Sequence, residues 1–147
     1  MLISQTNMPD YPPELLRKYP HMFPLDIILW ERFLKIHASE FLGFDYDIKV
    51  GSVPKFSDGL DLSVYKAGDI LWKKRIDAVG HKANEIFIIE VKPHAGSSAI
   101  GQVMGYIQLY TDEIKPAFKV TGMIVTDRPD LDLDRIAAVQ NIKVEIV

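Results

Sequence analysis

The amino-acid sequence predicts a single α/β domain with a central mixed β-sheet flanked by helices. Three observations support this fold class. The segment Glu85–Val91, EIFIIEV, is short and rich in β-branched residues, which is typical of a central strand buried on both faces. Apolar residues recur at helical spacing both before the predicted strands and after this segment. A chain of 147 residues without internal repeats suits one domain.

The first part of the chain is expected to be an arm followed by a helix. Residues 1–22 are predicted to be an irregular N-terminal arm, with one helical turn at 14–18, because Pro9, Pro12, Pro13 and Pro20 interrupt regular structure. A helix is predicted from about Pro24 to Phe41, since proline suits a first helical position. Its apolar positions follow the helical repeat, namely Ile27, Trp30, Phe33, Leu34 and Phe41.

The remaining elements alternate between strands and helices. Gly51–Trp72 contains Gly, Pro and Asp residues typical of turns, with LDLSVY as a short strand or hairpin arm. The other predicted strands are Phe44–Val50, Arg75–Gly80, Glu85–Val91, Val120–Thr126 and Ile142–Val147. The later predicted helices are Ser97 to about Tyr110, preceded by Gly96, and Leu133–Gln140. A strand–helix–strand unit in this order implies one right-handed crossover.

Composition excludes several classes of protein. The chain has no cysteine, so it contains neither a disulfide framework nor a thiolate zinc site. We expect a cytoplasmic protein without a membrane span, because the start lacks a basic segment followed by an apolar run and no apolar stretch approaches about 18 residues. A net charge of -3 argues against a general nucleic-acid coating protein. It argues little against a nuclease, because carboxylates that hold metal ions leave positive charge facing phosphate.

A carboxylate and an ammonium group share one face at the end of the predicted central strand. Alternation along a strand directs Glu90 and Lys92 to the same side. If the preceding strand pairs with this one as a hairpin, Asp77 reaches that side too. Two carboxylates beside a lysine suit phosphodiester hydrolysis, because hard oxygen ligands bind Mg²⁺ or Mn²⁺. Asp77 and Glu90 are predicted metal ligands, with the Val91 carbonyl, and Lys92 is the predicted water-activating group.

The helix after the central strand adds two polar side chains. Gln102 and Tyr106 are four residues apart and therefore share one helix face. If this helix packs against the sheet, Gln102 can position Lys92 or the attacking water, and Tyr106 can contact a substrate phosphate. Lys73, Lys74 and His94 are further candidate nucleic-acid contacts, because they lie close in sequence to the predicted catalytic strands.

With these residues the sequence resembles the PD-(D/E)XK nuclease superfamily, also called the restriction-endonuclease-like fold. The matching residues are Ile76-Asp77, Glu90-Val91-Lys92 and Gln102–Tyr106, the last similar to the Q-x-x-x-Y motif of the RecB- and Cas4-type exonuclease branch. Ile76 stands where the family's name has proline. The resemblance spans about Glu31 to Val125. It implies an αβββαβ core, one or two Mg²⁺ ions and cleavage of DNA or RNA. It also makes Glu31 a candidate metal ligand and His21 and His37 candidates for an upstream histidine.

Three functional interpretations follow. The leading one is a Mg²⁺-dependent nuclease acting on nucleic acid, most simply DNA, in phage or mobile-element DNA processing, repair or junction resolution. The alternative is an inactive nucleic-acid-binding or assembly protein on the same fold, although clustered acids would disfavour phosphate there. A third is a structural domain with a buried ion network. A homodimer is expected, because two-fold pairing is the commonest way for a small domain to address both strands of a duplex.

Overall fold

A computed structural model describes residues 8–53 and 73–147 of the chain. Its strands form one sheet in the order β1-β2-β3-β4-β5. In chain order the elements are α1 (Pro24–His37), a 3-10 turn (Ala38–Glu40), β1 (Gly43–Val50), β2 (Lys74–His81), β3 (Glu85–Val91), α2 (Ser97–Ile114), β4 (Lys119–Thr126), α3 (Leu133–Val139) and β5 (Ile142–Ile146). The predicted α/β class and αβββαβ order are confirmed, and α3 and β5 extend this core.

The sheet is mixed, as predicted. β1, β2 and β3 are antiparallel neighbours, whereas β3, β4 and β5 run parallel. β3 is therefore the central strand, and α2 connects it to its parallel neighbour β4. All residues of β3 after Glu85 are buried, because helices cover both faces of the sheet at this point.

The two faces of the sheet have different cores. Phe87, Ile89 and Val91 of β3 pack with α1 in an aromatic-rich cluster that includes Trp30 and Phe33. The alternate β3 residues Ile86 and Ile88 point the other way and pack with Tyr106 and Tyr110 of α2. Burial of such large apolar side chains on both faces fixes the register of β3. The same alternation directs Glu90 towards α2.

The structure corrects the predicted bounds of several elements. The first helix ends at His37, not Phe41, because Phe41 has an extended backbone and packs against Phe44 and Phe87. The helical turn predicted at 14–18 is wrong, because these residues have no helical structure. Tyr11, before this segment, pairs with Phe44 of β1. The predicted LDLSVY strand and Lys55 and Lys66 lie outside the described residues. No helix in the described part of the chain is long and apolar enough to cross a membrane.

Candidate active site

Asp77 is positioned by a local separation of β2 from β3. The two strands pair from His81↔Ile86 to Ala78↔Ile89, and the pairing ends there. Beyond this point, Asp77 precedes Ala78 on β2, and the backbone N–H of Val91 on β3 donates a hydrogen bond of 2.9 Å to Oδ2 of Asp77. The carboxylate therefore takes the place of a strand carbonyl as acceptor, which satisfies a buried backbone donor. This bond holds Asp77 beside the carboxyl end of β3.

The neighbouring strand β1 is also irregular at this level. Asp47 lies between the pairs Tyr46↔Ala78 and Ile48↔Ile76 and has a left-handed backbone with φ of 54°, which aspartate tolerates better than most residues. Its carboxylate accepts two hydrogen bonds from Arg75, at 2.7 and 2.6 Å. These bonds lower the pKa of Asp47. Arg75 is thus fixed at the site with its charge matched by Asp47.

A cavity of about 200 Å³ opens at this point. Seven of the lining residues were singled out in the sequence, namely His21, Asp77, Glu90, Val91, Lys92, Gln102 and Tyr106. Four others line the same cavity, namely Phe23, Asp26, Arg75 and Pro93. The structure thus brings the predicted catalytic residues together from β2, from β3 and the residue after it, and from α2. Their chemical roles stay predictions.

Glu90 carries the most unusual electrostatics of the described residues. Its side chain is 8% exposed, and its Oε2 is buried without a hydrogen-bond partner in the part of the chain that the structure describes. Burial and, to a smaller extent, the nearby charge of Asp77 raise the pKa of Glu90 to about 9. Burial likewise raises the pKa of Asp77 to about 6. At neutral pH such a pair keeps a proton on Glu90, and a bound cation would replace that proton.

The other predicted residues surround this carboxyl pair. Lys92 directly follows β3, its side chain is exposed, and its positive charge lowers the pKa of Glu90. Gln102 is exposed on α2. Tyr106 is buried, and burial raises its pKa to about 12, so its hydroxyl remains a neutral donor at physiological pH. The cavity therefore has an acidic interior and polar donors at its boundary.

α1 contributes Asp26 to the cavity, and not Glu31. The two residues are five positions apart, which places them about 140° apart around a helix with 3.6 residues per turn. The charge of Asp26 raises the pKa of both Asp77 and Glu90. Asp26 also accepts a hydrogen bond of 3.0 Å from the Phe23 N–H. The sequence signal was an acid in the first helical turn, which capping alone explains.

The remaining candidates are distributed unevenly. His21 lines the cavity, whereas the ring of His37 contacts the carboxylates of Glu40 and Glu145. His94 is not among the lining residues, since its ring pairs with Asp130 at 3.1 Å. Lys73 and Lys74 precede Arg75, which places them next to the cavity without lining it.

The carboxyl pair fits a divalent cation. A buried acceptor oxygen without a partner is costly in a protein interior, and a cation beside Glu90 Oε2 would remove that cost. No group of three or more His, Asp or Glu side chains suited to metal binding occurs within residues 8–53 and 73–147. Asp77 and Glu90 would therefore leave several coordination positions to backbone oxygen, water and phosphate, as Mg²⁺ sites commonly do.

Comparisons with known proteins find only distant similarity. No protein-family model and no curated protein matches the chain. Among solved structures, it is similar to a repair endonuclease from Pyrococcus abyssi at 14% identity and a TM-score of 0.43, covering 70% of this chain and 39% of that one. A protein of unknown function is similar at 18% identity and a TM-score of 0.47, covering 79% and 53%. The chain thus spans less than two thirds of either structure, and its function must be inferred from the site residues.

Proposed function

We propose that this protein is a metal-dependent nuclease of the PD-(D/E)XK type, in which Asp77 and Glu90 hold Mg²⁺ or Mn²⁺. The observation that carries the proposal is the buried, unpartnered Oε2 of Glu90 beside a second buried carboxyl group. Two such acids, one on β2 and one on β3, cost stability in the metal-free protein, which is typical of a functional site. The Val91 carbonyl is proposed as a further ligand.

A bound Mg²⁺ would neutralise charge on the phosphoryl oxygens and lower the pKa of the attacking water. The chain's own residues supply the rest. The ammonium group of Lys92 orients that water and stabilises negative charge in the transition state. Tyr106 donates a hydrogen bond to a substrate phosphate, because its raised pKa keeps the hydroxyl protonated. Gln102 positions Lys92 or the water from α2.

Asp26 is the proposed contribution of α1 to this chemistry. It lines the cavity, and its negative charge acts on both buried carboxyl groups. A third carboxylate makes the cavity more negative, which favours binding of a cation there and disfavours binding of an anion. We propose DNA as the substrate, with Lys73 and Lys74 contacting phosphates outside the cavity. Cation binding separates this proposal from an inactive binding protein or a structural domain, because only the nuclease requires it.

The direct test incubates the protein with Mn²⁺ and single-stranded, duplex, nicked and branched DNA and RNA substrates. Lys92→Ala is expected to lower kcat by at least about a hundredfold, because general acid–base and electrostatic stabilisation are each worth that much. Mn²⁺ affinity, measured by calorimetry, should stay within about threefold of wild type, since Lys92 is not a ligand.

The matched control is Lys119→Ala. Lys119 begins β4 and pairs in register with Glu85, which places it at the opposite end of the sheet from Lys92. This variant should cleave at the wild-type rate. If Lys92→Ala cleaves normally, or loses Mn²⁺ affinity as strongly as it loses turnover, the role proposed for Lys92 is wrong. Absence of cleavage with every substrate would contradict the nuclease function.

A further inference from the structure

A second cavity, of about 280 Å³, adjoins the candidate active site. The two share Pro93 as a wall. α1 lines the second cavity with Leu25, Ile28 and Arg32, and the turn after β4 lines it with Asp127 and Arg128. The two cavities are therefore neighbours, with Pro93 between them, and we call the second one the groove.

The groove exposes large apolar side chains. Leu25 is 64% exposed and Ile28 is 48% exposed, although both belong to the helix that covers one face of the sheet. Phe23, on the wall of the catalytic cavity, is 69% exposed. Contiguous exposed apolar patches rimmed by polar residues mark interaction sites or ligand-binding grooves.

Two arginines line the same groove, and their positive charge indicates which class of ligand it can bind. Arg32 and Arg128 provide positive charge, and both side chains are exposed. The single acid, Asp127, is already engaged by the His94 N–H at 2.9 Å and by Arg128 at 3.7 Å. Apolar or aromatic surfaces for bases combined with cations for phosphates are the features that bind single-stranded nucleic acid.

We propose that this groove binds an unpaired nucleotide of the substrate strand, next to the phosphate that is cleaved. Its base lies against Leu25, Ile28 and Pro93, Phe23 stacks on the neighbouring base, and Arg32 and Arg128 bind phosphates. This inference rests on the proposed nuclease function and narrows its substrate to single-stranded or locally unpaired nucleic acid. A continuous duplex would keep its bases stacked and could not fill the groove.

The test measures fluorescence anisotropy of a labelled single-stranded oligonucleotide in Ca²⁺, which is expected to support binding without efficient turnover. The Arg32→Ala/Arg128→Ala double variant should bind at least about tenfold more weakly. The slope of its log affinity against log salt concentration should become shallower by about two units, one for each lost phosphate contact. Phe23→Ala should also bind the oligonucleotide roughly tenfold more weakly. Arg135→Ala is the control, because Arg135 lies on α3 and lines neither cavity.

Wild-type affinity in the arginine double variant and in Phe23→Ala would overturn the groove assignment and leave the apolar surface to a protein partner. The groove and the nuclease function fail separately. If wild-type protein cleaves DNA while these variants bind normally, only the groove is wrong. If the variants lose oligonucleotide binding but wild-type protein never cleaves, only the nuclease function is wrong.

An independent observation concerns the free edge of β5. Within residues 8–53 and 73–147, β5 pairs only with β4. The Asn141 carbonyl accepts a hydrogen bond from Gly122 of β4, and the Val147 N–H donates one to Thr126 of β4. The backbone N–H and C=O groups of the odd-numbered residues therefore face β4. Because the backbone groups of alternate residues face opposite edges of a strand, the N–H and C=O groups of Ile142, Val144 and Ile146 face away from β4. A cavity of about 410 Å³ runs along this edge beneath Asp134 and Ala138 of α3.

The sequence of β5, IKVEI, is complementary to itself in the antiparallel direction. With Val144 opposite the partner's Val144, Lys143 lies opposite the partner's Glu145, and Ile142 lies opposite the partner's Ile146. This register makes each outward-facing residue part of a hydrogen-bonded pair. Both ion pairs fall on one face, where Lys143 now lies over Phe87 and Glu145 reaches His37.

We infer that a second copy of this chain pairs with β5 along this edge and gives a two-fold dimer with a continuous sheet. Charge complementarity in one register selects this occupant, since a two-fold axis generates both Lys143–Glu145 pairs at once. The expected dimer is thereby assigned to the edge farthest from β1. Unpaired edges are otherwise prone to nonspecific association.

Light scattering coupled to size-exclusion chromatography tests this inference across a concentration series. Wild-type protein should have the mass of a dimer. Lys143→Glu and Glu145→Lys should each shift the measured mass to that of a monomer, because each change places like charges opposite each other in both of the 143–145 pairs across the two-fold axis. The Lys143→Glu/Glu145→Lys double variant should restore the dimer, a rescue that a merely destabilised fold would not show. A monomeric wild type, or a double variant that remains monomeric, would overturn the assignment.

Discussion

Asp77→Asn and Glu90→Gln are each expected to reduce cleavage by on the order of a thousandfold or more while the fold is retained. The rate loss follows from losing a metal ligand, whose electrostatic stabilisation is worth several kcal/mol of the barrier. The fold should survive because asparagine still offers an oxygen to the Val91 N–H, the bond that fixes Asp77. Glutamine keeps the volume of Glu90 and removes a buried ionisable group whose Oε2 has no hydrogen-bond partner.

The measurement pairs cleavage assays in Mn²⁺ with circular dichroism and Mn²⁺ calorimetry on the same preparations. Both variants should also lose metal affinity, which distinguishes them from Lys92→Ala. Glu85→Gln provides a matched control, because Glu85 begins the same strand and lies at its other end. A folded Asp77→Asn or Glu90→Gln protein that cleaves at the wild-type rate would exclude these carboxylates from the site.

The stability of the metal-free protein is expected to fall as pH rises from about 4 to about 9. The pKa values of Asp77 and Glu90 are raised in the folded state to about 6 and about 9, mainly by burial. Over this window the folded protein binds protons that the unfolded chain has released, so ΔG of unfolding decreases with increasing pH. The stabilisation is complete below the unfolded pKa values and is lost as pH passes through the folded ones.

Thermal unfolding in EDTA across this pH range measures the effect. Glu90→Gln should flatten the dependence and raise the Tm at pH 8 by about 5 °C. Folded wild-type protein keeps Glu90 protonated at a pH where the unfolded chain has released that proton, and removing this cost recovers roughly 1–3 kcal/mol. Mn²⁺ should stabilise wild-type protein most at high pH, because the ligands must release their protons to bind it. Glu85→Gln should retain the wild-type slope. A pH-independent Tm in EDTA would contradict burial of the carboxyl pair.

The sequence alone determined the architecture and most of the candidate site. The β-branched run IFIIEV has the length and composition of a strand buried on both faces, and the structure makes it the central strand. Alternation along that strand was enough to direct Glu90 towards α2. The bounds of β3 were also correct, because apolar periodicity changes sharply at Glu85 and Val91. These features are local, so the residues themselves encode them.

Only the tertiary structure decided which residues complete the cavity. The alternation of apolar and polar residues does not show that β2 separates from β3 beyond Ala78, yet this separation is what allows Asp77 to accept a hydrogen bond from the Val91 N–H. The rotation of α1 against the sheet selects Asp26 over Glu31, and packing of Trp30 and Phe33 sets that rotation. Long-range packing therefore fixed what no local pattern could, because both acids are equally compatible with the helix that carries them.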